Sequence, residues 1–150
     1  MTSIAPFVRS SEEAVKIMLK MANLKKGELL YDLGSGDGRI LIAAAKDYGA
    51  KAVGIEIQED LVKGSLAKIH ELGLEKEVKV ICGDLLTNDI SGADVVALYL
   101  TSSANEKLEP KLTKELKPGS RVVSHQFEIP NWRPVKVSTE GNSKIYLYIR

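Results

Sequence analysis

A chain of 150 residues, 44% hydrophobic and 27% charged, has the size and balance of one soluble globular domain, and no apolar run approaches the about 20 residues of a membrane span. One cysteine and two histidines exclude an internal disulfide and a zinc cluster, and the first residues lack the basic and apolar regions of a secretory signal, so no metal and a cytoplasmic setting are expected. A formal net charge of +1, with lysines interleaved among glutamates, argues against a duplex binder, so no nucleic-acid partner is expected.

In chain order, Ser10 followed by Glu13 reads as a capping box opening a helix with an apolar stripe at Ala14, Val15, Met18, Leu19, Met21 and Ala22. Leu29–Leu33 reads as a strand, Gly38–Tyr48 as a helix stopped by Gly49, and Ala52–Glu56 as the next strand. A helix from about Glu59 to Leu72, a strand at Val78–Cys82 with Cys82 packed inside, and a strand at Asp94–Leu100 follow. The last is almost continuously apolar, as in a parallel sheet covered on both faces. Ala104–Leu116 reads as a helix and Arg121–Phe127 as a fifth strand. Arg133–Thr139 and Lys144–Ile149 alternate around Glu140-Gly141-Asn142-Ser143, the composition of a hairpin turn. Five β/α-type strands before an antiparallel hairpin make an α/β, Rossmann-like doubly wound sheet in one domain. Residues 1–27 form an N-terminal lid segment and helix, 28–127 the nucleotide-binding core, and 128–150 the hairpin.

The most informative segment is Leu30-Tyr31-Asp32-Leu33-Gly34-Ser35-Gly36-Asp37-Gly38-Arg39, a strand running through a glycine loop into a helix. Arg39 stands where a dinucleotide fingerprint has its third glycine, and no Gly-Lys-Ser/Thr follows, so neither a pyrophosphate loop nor a Walker loop is present. Asp32 disfavours a pyrophosphate and favours a cation, an α-ammonium or a sulfonium. Glu56 ends the second strand, where a carboxylate accepts both hydroxyls of a ribose, and Asp84 ends the third, near an adenine amino group. Each also has a structural alternative, as a cap or loop brace. Three acids on successive strand ends favour a ligand there. Asp94 opens its strand instead and faces away.

Asp32–Gly38, Gly54-Ile55-Glu56-Ile57 and Gly83-Asp84-Leu85 resemble motifs I, II and III of the seven-strand, class I S-adenosylmethionine-dependent methyltransferases. The resemblance implies a seven-stranded mixed sheet of order 3-2-1-4-5-7-6 ending in an antiparallel hairpin. It also implies S-adenosylmethionine as cofactor, held by Tyr31, Asp32, Gly34, Ser35, Gly36, Gly38, Glu56, Ile57, Gly83, Asp84, Leu85 and Tyr99.

From Pro6 to Ile149 the chain more closely resembles small archaeal protein-lysine methyltransferases. These are related to the mitochondrial enzymes that modify the adenine nucleotide translocase and the ATP synthase c-subunit. The carrying residues include Pro6-Phe7-Val8, Leu98-Tyr99-Leu100 with Asn105, Leu116-Lys117-Pro118-Gly119, Arg121–His125, Phe127 and Trp132; Arg9 departs from a second proline. The place of an Asn/Asp-Pro-Pro-aromatic motif, typical of amino-methylating DNA enzymes, reads Tyr99-Leu100-Thr101-Ser102-Ser103. The resemblance therefore implies an enzyme acting on exposed lysines of protein substrates, and a monomer is expected. Tyr99, Thr101, Asn105 and His125 are the candidates to orient the amine, and Phe7, Phe127 and Trp132 to line the lysine channel. For His125 a purely structural role is at least as strong an expectation, and for Phe127 and Trp132 covering the hydrophobic edge before the hairpin is an equal one. A small-molecule methyltransferase and a non-catalytic cofactor-binding module are the alternatives.

Overall fold

The computed structural model describes residues 10–139 and 143–150. The expected lid residue Phe7 and most of the Glu140–Ser143 turn lie outside the described residues.

Helix α1 (Glu12–Met21) is capped by Ser11, whose hydroxyl accepts the Ala14 N–H at 3.1 Å, and Glu12 and Glu13 sit in its first turn beside the positive end of the helix dipole. The capping box expected at Ser10 is therefore displaced by one residue, and Ser10 is freed for another contact. Strand β1 (Leu29–Leu33), α2 (Arg39–Tyr48), β2 (Lys51–Glu56), α3 (Glu59–Glu71) and β3 (Val78–Cys82) follow as alternating units. Then come β4 (Val95–Leu98), α4 (Ser102–Glu115), β5 (Arg121–His125), β6 (Lys136–Ser138) and β7 (Ile145–Ile149). The sheet order is β3-β2-β1-β4-β5-β7-β6, with β7 antiparallel to both neighbours and the other pairings parallel. This is the order expected from the motifs.

Two cores hold the layers together. On one face α1, α2 and α3 bury Val15, Met18, Leu19, Leu41, Ala44 and Ile69 against Leu30, Ala97 and Val123. On the other, α4 buries Leu108 and Leu112 against Leu33, Val96, Leu98 and Val122, and loop residues Ile90, Ile129 and Trp132 complete the cover. Each fully buried leucine contributes about 1.5–3 kcal/mol relative to exposure. The winding reverses between β1 and β4, and such a switch point opens a crevice at the carboxyl ends of the strands.

Several ends differ from expectation, each for a local reason. Strand β4 stops at Leu98 because Thr101 caps α4, accepting the Ala104 N–H at 3.1 Å, so the helix begins at Ser102 rather than Ala104. Strand β5 stops at His125 because Gln126 turns the chain at a φ of +72°. Strand β6 is reduced to three residues at the sheet edge, after Pro134, which has no N–H to pair. Cys82 is exposed, not packed inside, because β3 is the opposite edge of the sheet and its last two residues, Ile81 and Cys82, are uncovered. Asp94 does face the amino edge, where it accepts the Leu29 N–H at 2.8 Å and pairs with Lys117 at 2.7 Å.

Candidate active site

The glycine loop is wired to the end of β2 by its own backbone. Gly34 and Ser35 donate N–H bonds to the Ile55 carbonyl at 2.8 and 3.2 Å, and Gly36 donates to Glu56 Oε1 at 2.8 Å. Gly34, Gly36 and Gly38 all have φ between +55° and +87°, the left-handed region that L side chains rarely adopt. Gly54, beneath the loop, matters for another reason. A Cβ there meets Leu41 Cδ1 and Ser35 Oγ at 2.6 Å, so only a bare backbone lets the loop rest on β2. The Ser35 hydroxyl is buried and has no hydrogen-bond partner among the described residues.

Two acids face this nest. Asp32 is 3% exposed and Glu56 6%. Glu56 is oriented from both sides, Oε1 accepting from Gly36 and Oε2 from the Gln58 N–H at 3.0 Å. Each of its oxygens keeps a lone pair for a vicinal diol. Asp32 has no such support, and burial first, then the charges of Glu56 and Asp37, hold its carboxyl well above the usual carboxylate range. A buried acid that receives no hydrogen bond from the described residues and stands beside like charge favours a cationic partner.

At the neighbouring strand end, Asp84 Oδ1 accepts the Leu86 N–H at 2.8 Å and the Asp84 carbonyl accepts from Asn88, so the carboxylate braces its own loop. Gly83 donates to the Glu56 carbonyl at 2.9 Å, tying the third strand end to the second, and Ile57 and Leu85 are half-buried beside them. Tyr31 does not join this cradle. It lies two residues before the strand end, and strand alternation turns it to the α4 face, where it packs on the core beneath Asp89.

Opposite the loop, the lateral register Leu33–Leu98–Ser124 is followed, one residue further, by Gly34, Tyr99 and His125. Alternation puts Tyr99 and His125 on the α1/α2 face of the sheet, the side of Asp32. Their rings stack with centroids 4.0 Å apart, inclined by 36°. His125 is 3% exposed, and its Nδ1 lies 3.0 Å from Ser10 Oγ. Burial lowers its pKa, so the imidazole is neutral. The Ser10 carbonyl accepts Arg39 Nη1 at 2.8 Å, and Arg39 in turn holds Asp37 at 2.7 Å. A continuous chain of contacts thus runs from the glycine loop to the end of β5.

The remaining expected acceptor residues separate from this cluster. Thr101 serves as the α4 cap. Asn105, fully buried, donates from Nδ2 to the carbonyls of Phe127 and Glu128 at 3.2 and 3.0 Å, clamping the chain after β5 from the α4 face. Phe127 is half-buried at that turn. Trp132 meets Tyr148 edge-on at 6.0 Å and closes the core, far along the connection to β6. Two contributors escaped the sequence, Ser10 and Arg39. No local pattern signals a contact spanning 115 residues.

Known proteins resemble this chain in sequence and fold. The ANTKMT methyltransferase domain matches residues 32–136. The chain belongs to that family. It is 45% identical over 149 residues to the protein-lysine N-methyltransferase of Saccharolobus islandicus, covering 96% of this chain and 92% of that protein. To the adenine nucleotide translocase lysine N-methyltransferase of Mus musculus it is 36% identical over 145 residues, covering 95% of this chain and 62% of that protein, so it spans about three fifths of that relative. A crystal structure from Salinibacter ruber, described as an RNA methyltransferase in complex with S-adenosyl-L-homocysteine, superposes with a TM-score of 0.93 at 44% identity, covering 95% and 93% of the two chains. The family expected from the motifs is the family found.

Proposed function

We propose that this protein is an S-adenosylmethionine-dependent methyltransferase that modifies the side-chain amine of lysine residues in proteins. The observation that carries it is the buried Asp32 carboxyl, its pKa raised by burial and by neighbouring acids, set between a positive-φ glycine nest and a Glu56 already oriented by two N–H groups. These residues fit the cofactor. Asp32 would take a cationic ammonium end, Glu56 the ribose hydroxyls, and Ile57, Asp84 and Leu85 would flank an adenine. Bound there, S-adenosylmethionine supplies a methyl group on a positively charged sulfur, open to in-line attack by an unprotonated amine.

A free lysine has a pKa of about 10.4, so the rim must favour the neutral amine and hold it at roughly 3 Å from the methyl. The His125 ring, stacked on Tyr99 and with its pKa lowered by burial, favours an uncharged neighbour over an ammonium. The names of the Saccharolobus and mouse relatives support lysine as the acceptor. RNA is the second reading, favoured by the description of the Salinibacter structure. The nearly neutral net charge and the absence of a basic excess weigh against it.

One experiment separates them. Incubation of the protein with methyl-labelled cofactor and a cell extract should give label that survives ribonuclease and is released by proteinase as methylated lysine. Label lost to ribonuclease alone establishes RNA as the acceptor, and label only in small molecules removes both macromolecules. No calorimetric heat with millimolar S-adenosylmethionine overturns the enzyme class itself.

A further inference from the structure

We infer that His125 holds the incoming amine in line with the methyl by accepting one of its N–H groups at Nε2, and that Ser10 is the positioning residue that fixes the ring for this task. The inference rests on the lysine-methyltransferase function proposed above and assigns the acceptor site within it.

Four observations converge on Nε2. His125 stands in the lateral row of Gly34 and Tyr99, one pleat beyond Asp32 on the same face, so the imidazole shares one rim with the residues that would hold the methyl donor. Its Nδ1 is engaged by Ser10 Oγ at 3.0 Å and its ring face by Tyr99, which together remove the freedom to rotate. Nε2 is buried and has no hydrogen-bond partner among the described residues. Buried polar atoms are almost always satisfied in native proteins; of the four exceptions among the described residues, Ser35 Oγ, Asn105 Oδ1, Arg121 Nε and His125 Nε2, only the first and last stand at the carboxyl ends of the strands, where a ligand group would complete them.

The fourth is strain. Phe127 donates its N–H to the His125 carbonyl at 2.9 Å across a single residue, Gln126, whose φ of +72° a side chain rarely tolerates. Asn105 and the Ser124 hydroxyl, which bonds the Phe127 carbonyl at 2.5 Å, lock this turn from the other face. Strained backbone of this kind persists where the surroundings over-determine it, commonly at ligand sites.

The chemistry is a hydrogen bond, not a proton transfer. With Ser10 Oγ accepting from Nδ1–H, Nε2 carries a lone pair. That lone pair accepts one N–H of a neutral amine and leaves the amine's own lone pair free to point at the methyl. The opposite tautomer presents an N–H at Nε2, which ties up the nucleophilic pair and blocks the reaction. The Nδ1–H tautomer is therefore required.

The protein has two histidines, so ¹⁵N NMR of the full chain reads each tautomer directly. Nε2 of His125 should show the shift of an unprotonated nitrogen at neutral pH; a protonated Nε2 overturns the inference. Two substitutions then divide the ring. His125→Gln carries an acceptor out to the Nε2 position, whereas His125→Asn keeps only a group at the Nδ1 position facing Ser10. With poly-L-lysine as the probe, His125→Asn should lose about a hundredfold in kcat, the scale of a misplaced reactant, with His125→Gln losing clearly less and cofactor affinity unchanged in both. Equal loss in the two, or a parallel loss of cofactor affinity, makes His125 a structural residue and overturns the inference. If the wild-type protein methylates no polypeptide, the acceptor proposed above fails instead, and the tautomer alone decides the role of His125.

Discussion

The cofactor rim and the acceptor rim are built in opposite ways. The first comes from residues 32–57, nearly contiguous, and its contacts are mostly backbone: Gly34, Ser35 and Gly36 donating to Ile55 and Glu56. The second is gathered from Ser10, Tyr99 and His125, and its contacts are side chain to side chain. A backbone nest holds a part that every cycle shares, while side chains from remote segments can be exchanged without disturbing it. The cofactor half should therefore fail through charge and backbone, and the acceptor half through single side-chain atoms.

The largest expected effect tests the charge. Asp32→Asn should weaken S-adenosylmethionine binding by about 3–5 kcal/mol, the cost of removing one partner from a buried ion pair, as read by calorimetry. The pH dependence follows from the raised Asp32 pKa. Between the ordinary carboxyl value of about 3.9 and the raised one, the folded chain holds a proton that the unfolded chain has released. Stability of the cofactor-free protein therefore falls as pH rises through that interval, and Asp32→Asn abolishes this slope, so its Tm advantage widens with pH. A bound cation restores the carboxylate, so cofactor affinity should rise with pH and binding should release a proton, visible as a buffer-dependent heat. An affinity independent of pH across the acid range separates Asp32 from the cationic end.

Glu56→Ala comes next, at about 1.5–3 kcal/mol of cofactor affinity, the scale of hydrogen bonds to a charged group. It also removes the acceptor for Gly36 N–H and Gln58 N–H, so hydrogen exchange at those two amides should speed up in the cofactor-free protein. Loss of affinity below about 0.5 kcal/mol leaves the carboxylate as a loop brace alone. Gly54→Ala should cost about 1–3 kcal/mol of stability through overpacking, since its Cβ collides with Leu41 and Ser35. Denaturant melts check it, and an unchanged midpoint means the loop shifts freely and is no rigid nest.

The same contrast explains what the sequence disclosed. Glycine spacing, strand-end acids and apolar runs are local signals, and they located β1 to β5, the loop and the Asp32–Glu56 pair. The strand order rested on resemblance to a family, because periodicity does not say which strand lies beside which. Strand ends were read too long at Tyr99–Leu100 and Gln126–Phe127, where the residues stay apolar or polar-neutral while the chain leaves the ladder to form the rim. Tyr31 and Cys82 were misplaced because face and edge are properties of the assembled sheet. Thr101 and Asn105 drew attention for their position after β4, yet Thr101 caps a helix and Asn105 clamps a turn. Ser10-x-x-Glu13 satisfies the local pattern of a cap, while the partner of the Ser10 hydroxyl is His125.

The two adjacent serines offer the smallest effect and the finest test of the contrast. Ser11 is the local residue, its hydroxyl satisfying one N–H at the start of α1. Ser11→Ala should cost about 1 kcal/mol of stability, the ordinary value of a helix cap, with kcat per folded molecule unchanged. Ser10 is the long-range residue, and Ser10→Ala leaves the cap in place, so its melting midpoint should move less than that of Ser11→Ala while kcat falls. The crossing of the two variants, one lowering the midpoint and the other the turnover, is what a remote latch on the acceptor rim requires. If both serines lower stability alike and neither alters kcat, the segment before α1 is a structural strap, and the acceptor rim must be sought in Tyr99 alone.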